Sequence, residues 1–171
     1  MTAYERVVVG TDGSPLAVPT VKKAARIASR DDAGLTIVCA YTDVPRRDDA
    51  KNTATLGGDT KFSQVPGWEA ARLAVDSAAE LAREEGARIE GAQLIDADAA
   101  TALLHVVKGR HADLLVIGAI RDTSIAGRLL GTVATEVLRS ANCDVLIVRP
   151  TSDDEIGAPP ESINVTVEAT E

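Results

Sequence analysis

The chain alternates short apolar runs with longer stretches in which apolar residues recur every three or four positions. Arg6–Thr11 (RVVVGT) and Leu35–Ala40 (LTIVCA) are continuous apolar runs of strand length, as expected for parallel strands covered on both faces. Leu114–Ile117 and Val145–Val148 repeat that pattern, while Arg88–Ile95 is more polar and suits a place near a sheet edge. The intervening stretches read as helices. Ser14 as N-cap and Pro15 at the first helical position open one that runs to about Arg30, with Ala17, Val21, Ala24, Ala25 and Ala28 on its inner face and Gly34 closing the turn. A second covers Trp68–Glu85, turns Ala71, Ala74, Ala78, Leu81 and Ala82 inward, and meets Gly86 at its C-terminal end. A third, capped by Asp98, runs through Lys108, buries Ala99, Leu103, Val106 and Val107, and ends at Gly109. A short fourth helix starts at Gly131-Thr132.

Strand and helix alternate along the whole core of the chain. The fold class expected is therefore α/β: a doubly wound five-stranded parallel sheet with helices on both faces, whose strand order, by analogy with flavodoxin-like and related folds, is 3-2-1-4-5. Residues 1–150 make one domain. Residues 151–171, acidic and proline-bearing, make a C-terminal tail in which Ile163–Val167 alternates well enough to add an edge strand to this or another chain. Tyr41–Gly67 has no sustained period and holds Pro45 and Pro66. A loop of that length in a small domain is usually functional or without fixed structure.

The order of strands also locates a site. In such sheets ligands bind beyond the carboxyl ends of the strands, where the winding reverses. Here that switch point lies between the first and fourth strands, which end at Gly10-Thr11-Asp12 and at Gly118. The chain leaves Gly118, passes Gly127 and enters a helix at Gly131-Thr132. A helix start offers unpaired N–H groups and partial positive charge, and glycine admits close approach, so this is a seat for phosphate. Gly131-Thr132 also reads as loop closure and a cap, and Asp12 as a brace for the helix start at Ser14.

Composition narrows the partners. Hydrophobic residues are 45% of the 171 and aromatics only 2%, so the core is built from Val, Ile, Leu and Ala. The net charge of −8, with no offsetting basic patch, argues against nucleic acid. No apolar run approaches the roughly 20 residues of a membrane span, and Met1–Arg6 leads directly into a strand without a signal peptide, so a soluble cytoplasmic protein is expected. Cys39 and Cys143 lack CxxC spacing and nearby histidines and read as small core residues. His105 and His111 have no Ser or Cys partner at suggestive spacing, and Trp68 is expected to pack behind the long loop. The clusters Asp48-Asp49 and Asp153-Asp154-Glu155 read as solvated charge. No Ser-His-Asp set, metal-ligand spacing or catalytic carboxylate pair stands out.

Four stretches together carry a family resemblance: VVVGTDGS (Val7–Ser14), the long excursion after the second strand, DLLVIG (Asp113–Gly118), and AGRLLGTV (Ala126–Val133) followed by CDVLIVRP. Over residues 4–149 the sequence resembles the universal stress proteins. Nucleotide-binding members carry G-x2-G-x9-G-[S/T]. Gly118 and Gly131-Thr132 stand in that register, with Arg121 at the middle glycine. The resemblance implies that Asp12 meets the ribose or adenine side of a nucleotide and that backbone at Ala40 meets the adenine ring. It implies that Gly118, Gly131, Thr132 and Val133 hold phosphate, with Arg128 adding charge. It also implies a homodimer that pairs the last strands, residues 143–149. Members differ in whether they take ATP, cyclic AMP or no nucleotide. Arg121 leaves three outcomes open. The loop takes a different path, because glycine's backbone freedom costs arginine roughly 1 kcal/mol; the guanidinium clamps a phosphate; or it fills the site and excludes a triphosphate.

The reading is an adenine-nucleotide-binding protein, taking ATP or cyclic AMP, with Mg²⁺ accompanying ATP, that acts as a regulatory sensor or nucleotide reservoir. Gly10, Thr11, Asp12, Ala40, Gly118, Arg121, Gly127, Arg128, Gly131, Thr132 and Val133 make up its site. Phosphoryl transfer needs metal ligands, a cationic clamp and a residue orienting water. The inventory lacks a clear base, so catalysis is expected to be absent or limited to slow ATP hydrolysis with Asp12 and Thr132 holding Mg²⁺. The other alternative is a nucleotide-free module that binds a protein through the Tyr41–Gly67 loop or the tail.

Overall fold

The apolar runs become the central strands. In a computed structural model that describes residues 3–43, 64–119 and 131–149, Val7, Val8 and Val9 are fully covered, as are Leu35 and Ile37 and the run Leu114–Val116. The elements in order are β1 (Arg6–Gly10), a 3₁₀ turn (Pro15–Ala17), α1 (Val18–Asp31), β2 (Gly34–Thr42), β3 (Val65–Pro66), α2 (Trp68–Glu84), β4 (Arg88–Asp96), α3 (Ala99–Arg110), β5 (Leu114–Gly118), α4 (Thr132–Ser140) and β6 (Asp144–Val148).

All strand pairings are parallel, and the five long strands lie in the order β4-β2-β1-β5-β6, the order expected. The more polar β4 is indeed at an edge. The two-residue β3 was not foreseen inside the long loop. Tyr41 of β2 faces Asp96 of β4 on one side and Val65 of β3 on the other. Pairing of β1 with β2 stops at Gly10 and Val38, so β3 takes up the stretch of β2 edge that β1 leaves free.

Period-two alternation assigns each strand residue to one of two cores. Val7, Val9, Leu35, Ile37, Cys39, Leu114 and Val116 pack under the alanine faces of α1 and α2. Val8, Val38, Ala40, Leu115 and Ile117 pack under α3 and α4 with Leu103, Val106 and Val137. The amino ends of the strands are pinned by Asp113, whose carboxylate accepts the N–H groups of Glu5 at 2.8 Å and Arg6 at 3.0 Å.

Several local expectations are corrected. Ser14 sits at an N-cap position but its hydroxyl makes no capping bond, and Pro15 opens a 3₁₀ turn before α1 begins at Val18. The inward face of α1 includes Thr20, while Ala17 is only partly covered. Leu81 is likewise partly covered, with Val75 and Ala79 buried beside the expected alanines. Gly34 does not close the turn after α1. Asp32 takes the left-handed conformation at φ 55°, and Gly34 opens β2, where the Glu90 carboxylate occupies the space of a side chain. Gly109 is inside α3, and His111 (φ 52°) ends that helix instead. Asp98 caps α3 as expected, accepting the Thr101 N–H at 2.9 Å. Cys143 is only half-buried. Trp68 is 51% exposed, with the Arg72 guanidinium 6.0 Å from its ring centroid, because β3 rather than the indole anchors the start of α2. His105 and His111 are both exposed. No described helix is long and apolar enough to cross a membrane. The tail with Ile163–Val167, and the clusters at Asp48-Asp49 and Asp153-Asp154-Glu155, lie outside the described residues.

Candidate functional site

The chain turns sharply where β1 ends. The Thr11 N–H bonds the Val38 carbonyl at 2.9 Å, keeping the strand alongside β2 for one more residue. The Thr11 hydroxyl then accepts the Gly13 N–H at 3.1 Å, and Asp12 Oδ1 accepts the Ser14 N–H at 2.9 Å. Two side-chain-to-backbone bonds two residues apart are typical Asx and ST turns. Asp12 therefore does brace the turn before α1. It uses one carboxylate oxygen, and the other makes no bond to a described residue.

The facing wall comes from β5 and α4. Ile117 points toward α3, and the chain continues through Gly118 to Ala119, whose N–H bonds the Val148 carbonyl at 2.8 Å. Gly118 is a close approach: a Cβ there would lie 2.9 Å from the Thr20 hydroxyl, which is buried and has no partner among the described residues. Gly131, extended at φ −61° and ψ 163°, caps α4 without any side-chain bond. The first-turn amides of α4 have no partner within the helix, as at any helix start.

Between these walls lies a cavity of about 270 Å³. Gly10, Thr11, Asp12, Ala40, Gly118, Gly131 and Val133 of the expected set line it together. Thr132 does not. It borders a separate groove on the outer side of α4 with Thr135, Glu136, Arg139 and Ser140, so the side chains considered as an Mg²⁺ pair, Asp12 and Thr132, face different spaces. Arg121, Gly127 and Arg128 lie outside the described residues.

The sequence reading missed much of the lining. Ser14, Leu16 and Ala17 enter from the 3₁₀ turn, Val38 from β2, and Ala99, Leu103 and Ala134 from α3 and α4. Val38 was legible in principle, since it shares a face with Ala40 two residues on. Leu103 read as an ordinary core residue and its place at the cavity depends on how α3 crosses the sheet.

Among the described lining residues Asp12 is the only ionisable one. Its carboxylate and, above all, burial push the thiol of the neighbouring Cys39 up to about 12, so that cysteine is held protonated and unreactive. Among the described residues no group of three His, Cys, Asp or Glu could hold a metal ion. The cavity thus offers an apolar slot, one carboxylate and a helix start whose amides point outward. That combination suits a flat apolar ring joined to a hydroxylated sugar and an anion.

Comparison with known proteins agrees with this layout. The sequence model of the Universal stress protein family matches residues 3–149. Universal stress protein Rv1636 of Mycobacterium tuberculosis is 40% identical over 152 residues, covering 88% of this chain and 100% of the relative. Its crystal structure superposes with a TM-score of 0.55 at 36% identity, over 88% of this chain and 99% of that one. A universal stress protein solved in complex with cAMP reaches a TM-score of 0.64 at 32% identity, over 88% and 100% of the two chains. An Archaeoglobus fulgidus member solved with dAMP shares the fold at 20% identity and a TM-score of 0.58, over 85% and 98%. With its motifs, its sheet order and a family-model match over residues 3–149 in agreement, the chain belongs to the universal stress protein family.

Proposed function

We propose that this protein is an adenine-nucleotide-binding regulatory protein whose cavity takes a nucleotide with a single phosphate group, cyclic AMP foremost. The observation that carries the proposal is the size of the cavity. A 270 Å³ space falls just below the roughly 300–1,000 Å³ common for ligand sites, so it suits a compact nucleotide. A cyclic monophosphate carries one phosphate group and one negative charge, whereas a triphosphate adds two further phosphate groups that the cavity must hold. The relative solved with cAMP supports the same ligand class.

In this reading Val38, Leu103 and Ile117 flank the base, and the Ala40 backbone meets the adenine edge. The free oxygen of Asp12 accepts from a ribose hydroxyl. Amides at Gly118, Gly131 and Val133 hold the phosphate, with Gly10 and Thr11 shaping the turn. Arg121, Gly127, Arg128 and Thr132 complete the proposed set. The protein works as a homodimer through residues 143–149, and catalysis is no part of the proposal, because the set includes no clear base to orient an attacking water.

Isothermal titration with cyclic AMP, AMP and ATP, the last with and without Mg²⁺, tests it. Cyclic AMP is expected to bind tightest. Tighter binding of ATP overturns the single-phosphate assignment, and no binding by any of them overturns the nucleotide reading and favours the protein-interaction module. Phosphate release from ATP above background would reopen the enzymatic alternative.

A further inference from the structure

Gly13 occupies the turn that carries Asp12, with φ at 75°. A Cβ at this position would lie 2.6 Å from Ala74 Cβ and 3.2 Å from Ala74 Cα, so the turn rests directly on the first half of α2. Ala74 is buried and belongs to the core beneath α1 and α2. It is not among the residues that line the cavity. Yet it is the back wall of the turn whose other restraints are the bond from Gly13 N–H to Thr11 Oγ1 and the bond from Ser14 N–H to Asp12 Oδ1. The placement of α2 is in turn set close to the site. β3 pairs with the end of β2, and the Gly67 N–H bonds the Thr42 carbonyl at 2.9 Å, two residues beyond Ala40.

We propose that Ala74 is a positioning residue for nucleotide binding: its methyl group, acting through Gly13, holds Asp12 in the orientation a ribose hydroxyl requires. This rests on the nucleotide reading of the cavity. The physical reason is the freedom of glycine. Residue 13 must be glycine to reach this φ against Ala74, and a glycine without that wall samples many more backbone states. Across those states the direction of the Asp12 carboxylate is no longer fixed. Binding would then have to restore the order that Ala74 supplies in advance.

The test compares Ala74→Gly with Ala78→Gly. Both residues are buried on the same face of α2, one turn apart, and both changes put a glycine mid-helix, so their stability losses are matched. Titration with cyclic AMP is expected to show about tenfold weaker binding for Ala74→Gly, within the coupling typical of residues in contact, and little change for Ala78→Gly. In an Asp12→Ala background, Ala74→Gly should have no further effect. Equal losses in the two glycine variants, or full additivity with Asp12→Ala, overturn the proposal. Should Ala74→Gly not fold, Ala74→Ser carries the test, since its added oxygen presses on Gly13 and weakens binding in the same direction. Hydrogen exchange of the Ser14 amide decides the matter even if no nucleotide binds. Faster exchange in Ala74→Gly but not in Ala78→Gly supports the positioning role, and equal exchange overturns it, whatever the titration says of the cavity.

Discussion

Leu103 of α3 closes against Gly10 of β1: a Cβ on Gly10 would stand 3.0 Å from Leu103 Cδ2, and both residues line the cavity. The missing side chain of Gly10 is therefore filled by the tip of Leu103, and the two together set how deep the cavity runs. A branched residue at position 10 must push that tip into the ligand space. Gly10→Val is expected to weaken cyclic AMP binding by about tenfold or more, the equivalent of losing roughly 1.4 kcal/mol. Adding Leu103→Ala should recover part of the loss. Titration of the single and double variants checks this, and unchanged affinity in Gly10→Val would mean the ligand does not reach this depth.

Asp113 tests the separation of stability from binding. Its carboxylate accepts two backbone N–H groups at the amino ends of the strands, opposite the cavity end. Asp113→Ala leaves both donors without that partner and should cost about 1–3 kcal/mol in urea unfolding. Nucleotide affinity should not change. A large loss of affinity in a folded Asp113→Ala protein would contradict this placement.

The Asp98 cap gives a pH signature. The Thr101 N–H, bonded to the carboxylate, holds the Asp98 carboxyl below its ordinary range. A depressed folded-state value means the cap stabilises above the unfolded value of about 3.9 and is lost as pH falls through the lower folded value. Asp98→Ala should cost about 1 kcal/mol at pH 7. The gap between variant and parent should narrow as pH falls below the unfolded value and close once pH lies below the folded one. Urea melts across an acid pH series measure it, and a gap that persists at the acid end would assign the cost to something other than the charged cap.

The edge of β6 that no described strand pairs bears on the proposed dimer. Asp144 donates its N–H to the Asp113 carbonyl and Val148 accepts from Ala119, so these alternate residues bond inward to β5. Val145 and Ile147 then direct their backbone N–H groups outward. Ile147→Pro removes an outward donor without touching the β5 pairing. Light scattering after size exclusion should find a dimer for the parent and a monomer for the variant. A monomeric parent protein would remove the dimer from the reading.

The two cysteines should react unequally. Burial, reinforced by Asp12, pushes Cys39 up to about 12, whereas Cys143 is half-buried and raised less strongly, again mainly by burial. A disulfide-exchange reagent at pH 8 is expected to modify no more than one thiol in the native protein and two after denaturation. Rapid reaction of both in the native state would mean that β2 opens far more readily than its buried side chains imply.

Local chemistry was legible where a residue acts on its own neighbours in sequence. Asp98 was readable as a cap because Asx residues accept from the amide three positions on. The same logic failed at Gly34 and Gly109. Each was assigned a helix end by residue type, while Asp32 and His111 took the left-handed positions. The ends of α1 and α3 are set by where the next strand must begin to pair, and an Asp or His tolerates the left-handed conformation when that pairing demands it. Trp68 was misjudged for a related reason. Its helix is anchored by Val65 against Tyr41, a contact across the whole excursion that no local pattern announces.

What the sequence determined by itself was the architecture and the end of the sheet at which a ligand would sit. The period of apolar residues dictates strand and helix, and parallel winding leaves few orders for five strands. Tertiary structure alone decided which side chains meet at that end. Leu103 reaches Gly10, Ala74 backs Gly13, and Thr132 turns to the outside of α4, because each of these depends on the depth and angle at which a helix lies on the sheet. Those are set by packing between residues far apart in the chain, and packing is a property of the assembled layers that one-dimensional spacing does not encode.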